Sequence, residues 1–227
     1  IVIPVFNEGP TIEEMLRRVE NAGPENMEKE IIVVDDGSTD DTQSILEKYK
    51  AKYKIIRHRL NQGKGAAIST GFGEASGDFV IIQDADLEYD PGDYPKMLGP
   101  LIENKADVVY GSRFIGSEAH RVLYFWHYAG NKFLTTLSNL FTNLNMTDME
   151  TGYKAFNRKA ISTILPKIRS KRFGIEPELT ALVAKNNLRI YEVGIAYSGR
   201  TYLEGKKVGW RDGLAAIWQI IKFNLFR

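Results

Sequence analysis

The sequence predicts an α/β protein whose mostly parallel sheet is flanked by helices. Four short runs are almost wholly apolar, and a fifth, at 54–58, has two isoleucines flanked by basic residues. Helix-like segments or turn clusters separate the runs, and polar residues follow them directly. Short strands that are apolar on both faces are typical of parallel sheets covered by helices on both sides. The 227 residues, 43% of them hydrophobic, suffice for one large domain or two small ones with a substantial core.

The strands and the shorter helices follow from these patterns in chain order. We predict strands at residues 1–6, 31–34, 54–58, 79–83 and 108–110. The first helix begins near Thr11, carries apolar side chains at helical spacing and ends at Gly23 and Pro24. Two further helices are expected over about 40–49 and 65–74.

Two longer segments, 121–144 and 210–227, also carry apolar residues at helical spacing. Aromatic residues crowd at 124–128 beside Arg121 and Lys132, a mixture that suits a membrane interface as well as a core helix. The second segment follows a basic, glycine-containing loop at 200–207. Neither contains the roughly 18 uninterrupted apolar residues that a membrane-spanning helix needs. Core and interfacial positions both stay open for these helices.

Composition excludes several kinds of site. Thirty basic and 29 acidic residues leave a net charge of +1, which gives no electrostatic reason to expect nucleic acid as a partner. The absence of cysteine excludes disulfides, thiolate metal sites and cysteine nucleophiles. The three histidines lack the spacing of metal ligands, and no serine lies in a G-x-S-x-G elbow. The chain begins with Ile1 rather than Met, which is compatible with a targeting signal or an anchor in a longer parent protein.

Five polar clusters follow the predicted strands, at the edge where parallel sheets bind ligands. They are Asn7 with Glu8, Asp35 with Asp36, the loop 63–65, Asp84 with Asp86, and Arg113. Such a convergence is hard to explain by packing alone. It is the main evidence from the residues themselves for a functional site.

Asp84 and Asp86 lie two residues apart where a buried strand ends, so their carboxylates can converge on one hard cation. A solvated acidic turn is the alternative for such a pair taken alone. Asp36 can accept hydrogen bonds from a ribose or a base, whereas Asp40 fits a helix cap better. Arg113 can clamp diphosphate oxygens, with a surface ion pair as the alternative.

The loop 63–65 begins a helix with small residues, and it is weaker evidence for a ligand site than the acidic pair or Arg113. Its backbone can approach an anion at the helix start, but it matches neither a Walker A loop nor the dinucleotide-binding fingerprint. A plain helix start explains it equally well.

Taken in order, the motifs resemble those of inverting glycosyltransferases of family 2. Within that family the chain is most similar to dolichyl- or polyprenyl-phosphate hexose synthases such as the mannose synthases, and the resemblance covers nearly the whole chain. It implies the GT-A fold, a Rossmann-like α/β architecture, with amphipathic interfacial helices. The matching motifs are Ile3-Pro-Val-Phe-Asn-Glu8, Asp35-Asp-Gly-Ser-Thr-Asp40, Asn61-Gln-Gly-Lys-Gly-Ala-Ala67, Asp84-Ala-Asp86 and Gly111-Ser-Arg-Phe114.

The resemblance also implies roles for individual residues. The expected nucleotide-sugar-binding residues are Pro4, Asn7, Glu8, Asp36, Lys64, Asp84 and Ala85. Mg²⁺ or Mn²⁺ would be held by Asp84 and Asp86, with Glu88, where relatives often have Gln, as a third ligand or a bystander. Catalytic roles are expected for Asp86, Arg113 and Asp148, and the acceptor phosphate would meet Arg121, Lys132, Arg200, Lys206 and Lys207.

The expected organisation is a single GT-A domain over residues 1–227. Residues 1–116 form its nucleotide-sugar-binding half, 117–209 the acceptor-side half with an interfacial helix at 121–144, and 210–227 a C-terminal amphipathic helix. The expected reaction is metal-dependent, inverting transfer of a hexose, with mannose favoured, from GDP-mannose or UDP-glucose to a polyprenyl phosphate. The protein would work as a peripheral protein at the cytoplasmic face of a membrane.

Two other functions stay open from the sequence. A glycosyltransferase of cell-surface polysaccharide synthesis would use a saccharide hydroxyl as acceptor, with a carboxylate such as Asp148 as general base. A non-catalytic nucleotide-sugar-binding scaffold at the membrane is the third hypothesis, and the intact acidic pair, Arg113 and the glycine loop argue against it.

Overall fold

In the computed structural model, residues 1–116, 121–122, 124–200 and 210–226 are described, without the side chains of 210–212. Within them, seven strands form one sheet in the order β3-β2-β1-β4-β6-β5-β7. All strand pairs are parallel except those of β6, which runs antiparallel to both of its neighbours. The strands are β1 (Val2–Val5), β2 (Ile32–Asp35), β3 (Lys54–Arg57), β4 (Phe79–Ile82), β5 (Val108–Ser112), β6 (Lys154–Asn157) and β7 (Ile190–Gly194).

Eight α-helices are described along the chain. They are α1 (Gly9–Asn21), α2 (Thr42–Glu47), α3 (Lys64–Glu74), α4 (Tyr94–Ile102), α5 (Phe125–Thr142), α6 (Arg158–Ile164), α7 (Ile175–Lys185) and α8 (Trp210–Leu225). Their ends follow local chemistry. Pro10 lies in the first turn of α1, where its missing N–H costs nothing, and Asn143 ends α5 in the left-handed conformation.

Two large apolar clusters cover the two faces of the sheet. One packs α1 and α4 on the side chains of alternate strand residues such as Ile3 and Val33. The other packs α3, α6 and α7 on the opposite set, including Val2 and Val80. The predicted fold class, helices on both sides of a mostly parallel sheet, is confirmed.

Beyond Ser112 the structure contains elements that the apolar pattern did not predict. Strand β6 has a lysine and an asparagine at its ends, and β7 is only partly buried, so neither shows the mostly apolar run of β1, β2 and β4. Strand β6 lies between β4 and β5, which therefore are not neighbours. The predicted helix 121–144 was too long at both ends, since α5 begins at Phe125 and ends at Thr142.

Helices α5 and α8 pack on each other, yet each leaves large apolar side chains exposed. Residues on one side, including Leu134, Ile217 and Ile220, form a small shared cluster with Met149. The exposed set comprises Phe125, Trp126, Phe133 and Leu140 on α5 and Leu214, Trp218 and Leu225 on α8, each more than half accessible. No helix in the described part of the chain has the length and apolar character to cross a bilayer.

Candidate active site

The carboxyl ends of β1, β2, β4 and β5 bring the predicted polar clusters to one edge of the sheet. The antiparallel strand β6 starts at this edge, with Lys154 opposite Ile82 and Tyr110. The segment 147–153, which leads into β6, therefore lies beside the ends of β4 and β5. Sequence reasoning expected the ends of the parallel strands here, but not the start of β6.

The acidic pair at the end of β4 is held by two cations. The Nζ atom of Lys64 lies 2.8 Å from Asp84, and Nη2 of Arg200 lies 2.8 Å from Asp86. Glu88 accepts hydrogen bonds from the Tyr197 hydroxyl at 2.8 Å and from the backbone N–H of Arg200 at 2.9 Å. The loop after β4 is thus tied to the segment 197–200 on one side and to α3 on the other.

Negative charge is concentrated at Asp86. Burial, together with the neighbouring carboxylates of Asp84 and Glu88, raises the pKa of the Asp86 carboxyl from 3.8 to about 7 against the opposing effect of Arg200. On the other side of the pair, the acidic neighbours Asp84 and Glu176 outweigh burial and raise the pKa of Lys64. A pair of carboxylates with this much mutual repulsion is suited to a divalent cation, which prefers oxygen ligands.

The donor set thus fits Mg²⁺ or Mn²⁺ at Asp84 and Asp86, but a ready group of three ligands is not formed. In the part of the chain that the structure describes, no three His, Cys, Asp or Glu side chains are grouped to hold a metal ion. The predicted third ligand, Glu88, points its two oxygens at Tyr197 and Arg200 instead. Ala85, between the two aspartates, is buried in the core and offers only its backbone.

Arg113 and Asp148 form a buried, bidentate ion pair. Nε and Nη2 of Arg113 donate to the two carboxylate oxygens of Asp148 at 2.7 and 2.8 Å, and the backbone N–H of Arg113 donates to the same group. The Asp148 side chain is fully buried, and the guanidinium lies 5.3 Å from the centre of the Tyr197 ring. Arg113 therefore stands at the predicted edge with one face of its fork already used by Asp148.

The residues predicted to line the nucleoside pocket brace two loops. Asn7, with a positive φ of 54°, accepts the Thr39 N–H on its side-chain oxygen at 2.8 Å. Asp36 is buried and accepts hydrogen bonds from the backbone N–H groups of Gln62 and Gly63. Its Oδ1 atom also lies 2.6 Å from Nδ1 of His58, within hydrogen-bond distance. Its carboxylate fixes the loop that begins α3. His58, one of the three histidines that lack metal-ligand spacing, therefore braces this loop through Asp36.

The remaining donor-side residues lie around these loops. Pro4 is in β1 beside Val34, and Glu8 lies 3.5 Å from Arg200. Asp40, interpreted as a capping residue, accepts the N–H of Thr42 at the start of α2 and that of Gly9 at the start of α1. The two helices thus share one carboxylate at their N-termini.

A buried charge network below Asp84 was not predicted from the sequence. Glu176, at the start of α7, lies 3.3 Å from Lys64 and pairs closely with the fully buried Lys154. Burial, and next the neighbouring Glu176, raise the pKa of Glu150 from 4.5 to about 7, and its Oε1 accepts no hydrogen bond among the described residues. The sequence does carry a signal for this network. Glu176 and Glu178 lie in the first turn of α7, which is otherwise apolar.

The backbone at Gly152 contacts the Asp84–Lys64 ion pair at the carboxyl-end edge of the sheet. A Cβ atom at Gly152 would lie 2.4 Å from Oδ2 of Asp84 and 2.9 Å from Nζ of Lys64, so the backbone of the segment 147–153 touches the ion pair directly. Glycine is required there for lack of space rather than for backbone conformation. The carboxylates at the end of β4 and the predicted acceptor segment therefore belong to one site.

The predicted acceptor residues are brought together only in part. Arg200 enters the site, and the exposed Arg121 contacts the segment 197–200 through its backbone N–H and its guanidinium. Lys132 is exposed on α5. Lys206 and Lys207 lie outside the described residues.

Comparison with known proteins agrees with this architecture. The chain is 29% identical to a UDP-N-acetylglucosamine–dolichyl-phosphate N-acetylglucosaminyltransferase of Methanococcus voltae, over 86% of this chain and 83% of that protein. It is 29% identical to an undecaprenyl-phosphate mannosyltransferase of Micrococcus luteus, over 99% of this chain and 97% of that protein.

A solved structure has the same fold. The glucosyl-3-phosphoglycerate synthase of Mycobacterium tuberculosis, in complex with Mn²⁺, UDP and glucosyl-3-phosphoglycerate, superposes with a TM-score of 0.73 at 21% identity. The superposition covers 99% of this chain and 77% of that one. The family model for glycosyl transferase family 2 matches residues 1–165, most of the chain. The chain is a GT-A-fold member of glycosyl transferase family 2.

Proposed function

We propose that this glycosyltransferase moves a hexose, with mannose favoured, from GDP-mannose or UDP-glucose to a polyprenyl or dolichyl phosphate. The reaction inverts the anomeric carbon and takes place at the cytoplasmic face of a membrane. The observation that carries this proposal is one edge of the sheet that holds the Arg200–Asp86 and Arg113–Asp148 ion pairs, beside a helix with exposed apolar side chains. The names of the Methanococcus and Micrococcus relatives support a lipid phosphate as acceptor.

On the donor side, Asp84 and Asp86 are the residues that would hold Mg²⁺ or Mn²⁺. Such an ion would neutralise the diphosphate and stabilise the charge that builds on it as the sugar leaves. Arg200 now contacts Oδ2 of Asp86, and Lys64 contacts both carboxylate oxygens of Asp84. Both cations can turn from the carboxylates to the diphosphate oxygens when donor is present. The synthase with bound Mn²⁺ and UDP supports this assignment by fold alone.

On the acceptor side, the start of α5 adjoins Arg113. Phe114 contacts Tyr128 edge to face, with ring centres 5.2 Å apart, so the first turns of α5 lie against the residue after Arg113. Phe125 and Trp126 in those turns are 66% and 80% exposed. A lipid lying along these apolar side chains would bring its phosphate towards Arg113 and Arg200.

A phosphate acceptor suits the state of Asp148. A phosphate oxygen is largely deprotonated at neutral pH, since the second pKa is near 6. It can attack the anomeric carbon directly, while the bond from that carbon to the diphosphate breaks and its electron pair leaves with the nucleotide. No general base is needed. Asp148 is fully buried and uses both oxygens on Arg113, which suits a positioning residue better than a base.

The hydroxyl-acceptor alternative needs a base that can take a proton from the acceptor. It would require Asp148 to separate from Arg113, leaving a buried guanidinium without its partner, which is costly. The non-catalytic scaffold is not favoured, because the chain is a family 2 glycosyltransferase throughout residues 1–165.

The test is a panel of donors. Purified protein with a short polyprenyl phosphate and Mn²⁺ or Mg²⁺ is offered GDP-mannose, UDP-glucose, UDP-N-acetylglucosamine and UDP-galactose in parallel. We expect transfer from GDP-mannose to exceed the others. Asp86→Ala is expected to lower turnover by at least about a hundredfold with the preferred donor, as for loss of a preorganised electrostatic contact.

The matched control is Asp78→Ala, which removes an exposed carboxylate just before the opposite end of the same strand β4. It should leave turnover unchanged. Turnover retained in Asp86→Ala would contradict the metal assignment. Transfer to a saccharide hydroxyl but not to the lipid phosphate would contradict the proposed acceptor.

A further inference from the structure

A second cavity, of about 550 Å³, lies apart from the carboxylates at the end of β4. Its walls come from the segment 169–174, from Asn61 and Gln62 before α3, and from the C-terminal half of α8. None of Asp84, Asp86 and Arg113 lines it. The residues proposed to hold the metal and the diphosphate therefore lie outside this cavity, which shares only Asn61 and Gln62 with the loop that Asp36 braces.

The lining is cationic. Arg169, Lys171, Arg172 and Lys222 line it, and no Asp or Glu does. Across the described part of the chain, none of these four side chains lies within 4.0 Å of a carboxylate oxygen. Four uncompensated positive charges around one concavity raise the local concentration of anions. The fit is therefore to an anionic group.

The wall that carries three of these charges is anchored. The carboxylate of Glu178, which is buried, accepts the backbone N–H groups of Arg169 at 2.9 Å and Ser170 at 2.6 Å. The carbonyl of Lys171 accepts the N–H of Ala66 in α3. A Cβ atom at Gly63, where φ is +103°, would lie 2.4 Å from that carbonyl oxygen. The basic side chains thus project from a backbone fixed to α3 and α7.

The opposite wall, on α8, offers a second kind of contact. Gln219, Lys222 and Phe223 line the cavity at positions i, i+3 and i+4 of one helix face. The Oε1 atom of Gln219 is buried and accepts no hydrogen bond from any described residue. It can accept one from a hydroxyl group. An anion that also carries hydroxyl groups would therefore use both walls.

Exposed apolar side chains lie close along the chain to residues that line the cavity. Trp218 is 57% exposed and precedes Gln219, Leu225 is 60% exposed one turn beyond Lys222, and Phe173 is 57% exposed beside Arg172. Cationic residues next to exposed aromatic and aliphatic side chains are typical of surfaces that meet lipid headgroups and the adjoining acyl chains. A soluble phosphate would leave these apolar side chains without a role.

We propose that this cavity binds the phosphate of an anionic phospholipid with a hydroxylated headgroup, as a site separate from the one for the lipid acceptor. Arg169, Lys171, Arg172 and Lys222 meet the phosphate, and Gln219 accepts from a headgroup hydroxyl. The site fixes α8 at an anionic membrane surface. The inference rests on the membrane association proposed above, but not on sugar transfer.

The experiment measures sedimentation of the full chain with vesicles that contain no polyprenyl phosphate. Vesicles of phosphatidylcholine with phosphatidylglycerol are compared with vesicles of phosphatidylcholine alone. The double variant Arg172→Gln/Lys222→Gln is expected to weaken binding to the anionic vesicles roughly 25-fold, since each basic residue near such a surface contributes about fivefold. Binding to neutral vesicles should not change.

The charge-matched control is Lys48→Gln/Lys159→Gln, which removes two exposed cations that line no part of the cavity. It should weaken binding by less than about threefold, as for a general electrostatic effect. Equal losses in both double variants, or unchanged binding in the first, would overturn the proposal. So would saturable binding of inorganic phosphate without binding to anionic vesicles.

The phospholipid headgroup site and the proposed sugar transfer can be refuted independently of each other. Sugar transfer to a short polyprenyl phosphate in detergent reports on the proposed function and involves no phosphatidylglycerol. A protein that transfers sugar but does not distinguish the two kinds of vesicle would refute the headgroup site alone. Full binding to anionic vesicles without any transfer would leave the headgroup site standing and refute the proposed reaction.

Discussion

At the scale of single residues, the site is a set of carboxylates matched by cations. Asp84 pairs with Lys64, Asp86 with Arg200, and Asp148 with Arg113. Each pairing offsets the cost of burying charge where the strands end. Each cation would, on the proposed function, turn from its carboxylate to a phosphate group. The residue types were predictable from the motifs, but the partners within each pair were not.

Replacing Asp148 separates its two candidate roles. With Asp148→Asn, Arg113 loses a charged, bidentate partner, so we expect a raised KM for the lipid acceptor and a kcat lowered by roughly tenfold, the size of one charged hydrogen bond. The pH dependence of kcat should keep its shape. The measurement is steady-state kinetics of the variant between pH 5.5 and about 9.

Two results would contradict this role of Asp148. Near-complete loss of turnover with donor binding intact would identify Asp148 as a general base. Loss of the acidic limb of the pH profile in Asp148→Asn would do the same. The conservative change Arg113→Lys serves as the companion, because a lysine cannot replace a bidentate guanidinium. It should reproduce the raised acceptor KM.

Glu150 gives a prediction on stability. Its pKa is raised by burial from 4.5 to about 7 in the folded protein, so the folded state keeps a proton that the unfolded chain releases. The stability that protonated Glu150 contributes is present below pH 4.5 and is lost as pH rises through about 7. Glu150→Gln keeps the shape of the side chain and removes this ionisation.

We therefore expect Glu150→Gln to match the wild type near pH 4.5 and to exceed it at pH 8 by up to about 3 kcal/mol. Urea unfolding at the two pH values measures the difference. Glu25→Gln, at an exposed position, is the control and should not change stability at either pH. A variant that is less stable than the wild type at pH 8 would show that ionised Glu150 is stabilised by Lys154.

At the scale of secondary-structure elements, α5 and α8 show how far periodicity carries. The spacing of Trp126, Phe133 and Leu140 predicts that they share one apolar helix face. In the structure these three side chains are exposed to solvent. The face towards the protein carries Leu134 and two small polar residues, Thr135 and Ser138. Hydrophobic spacing identifies an apolar face but not what covers it, so spacing alone left both a core and an interfacial position open.

The exposed face of α5 leads to a prediction on membrane binding. Trp126→Ala and Leu140→Ala each remove a side chain that is 80% or 77% exposed, so the free energy of unfolding should stay the same. Binding to neutral phosphatidylcholine vesicles should fall by roughly 10- to 150-fold for each, as burial of such a side chain in an apolar phase is worth about 1.5–3 kcal/mol.

The comparison for this prediction is Ile102→Ala, at the end of α4, which removes a half-exposed apolar side chain elsewhere. Its vesicle binding should equal that of the wild type. If all three variants bind the vesicles as strongly as the wild type does, α5 does not enter the membrane interface. If Trp126→Ala also unfolds more easily, its side chain has a packing role that its exposure does not indicate.

At the scale of the whole molecule, the first half followed from sequence and the second half did not. Strands β1, β2 and β4 are short, mostly apolar runs, and β3 has two isoleucines between basic residues. Each is followed by a polar cluster, so both the strands and the site edge could be predicted. Strand β6 is recognisable only from its place between β4 and β5, a long-range pairing without a local signal. The charges of Glu150, Lys154 and Glu176 were missed because that strand start and α7 bring them together.

Because the cations Lys64 and Arg200 are supplied by distant parts of the chain, ligand binding at the carboxylates should stabilise the whole fold. GDP at a hundredfold above its Kd should contribute about 2.7 kcal/mol, which for a chain of this size raises Tm by roughly 5–10 °C. We expect that increase with Mn²⁺ present and expect EDTA to abolish it. Asp86→Ala should lack it with Mn²⁺, whereas Asp78→Ala should keep it.

Tm values measured with GDP and Mn²⁺, together and separately, distinguish two ways in which the protein could bind the diphosphate. If GDP raises Tm equally with Mn²⁺ and with EDTA, then Arg200, Lys64 and Arg113 suffice to bind the diphosphate and Asp84 and Asp86 have another role. If Mn²⁺ without nucleotide already raises Tm by several degrees, the metal displaces Arg200 from Asp86 before the donor arrives. An increase that requires both ligands means that Arg200 leaves the carboxylate only when a diphosphate is present to receive it, which couples the segment 197–200 to donor binding.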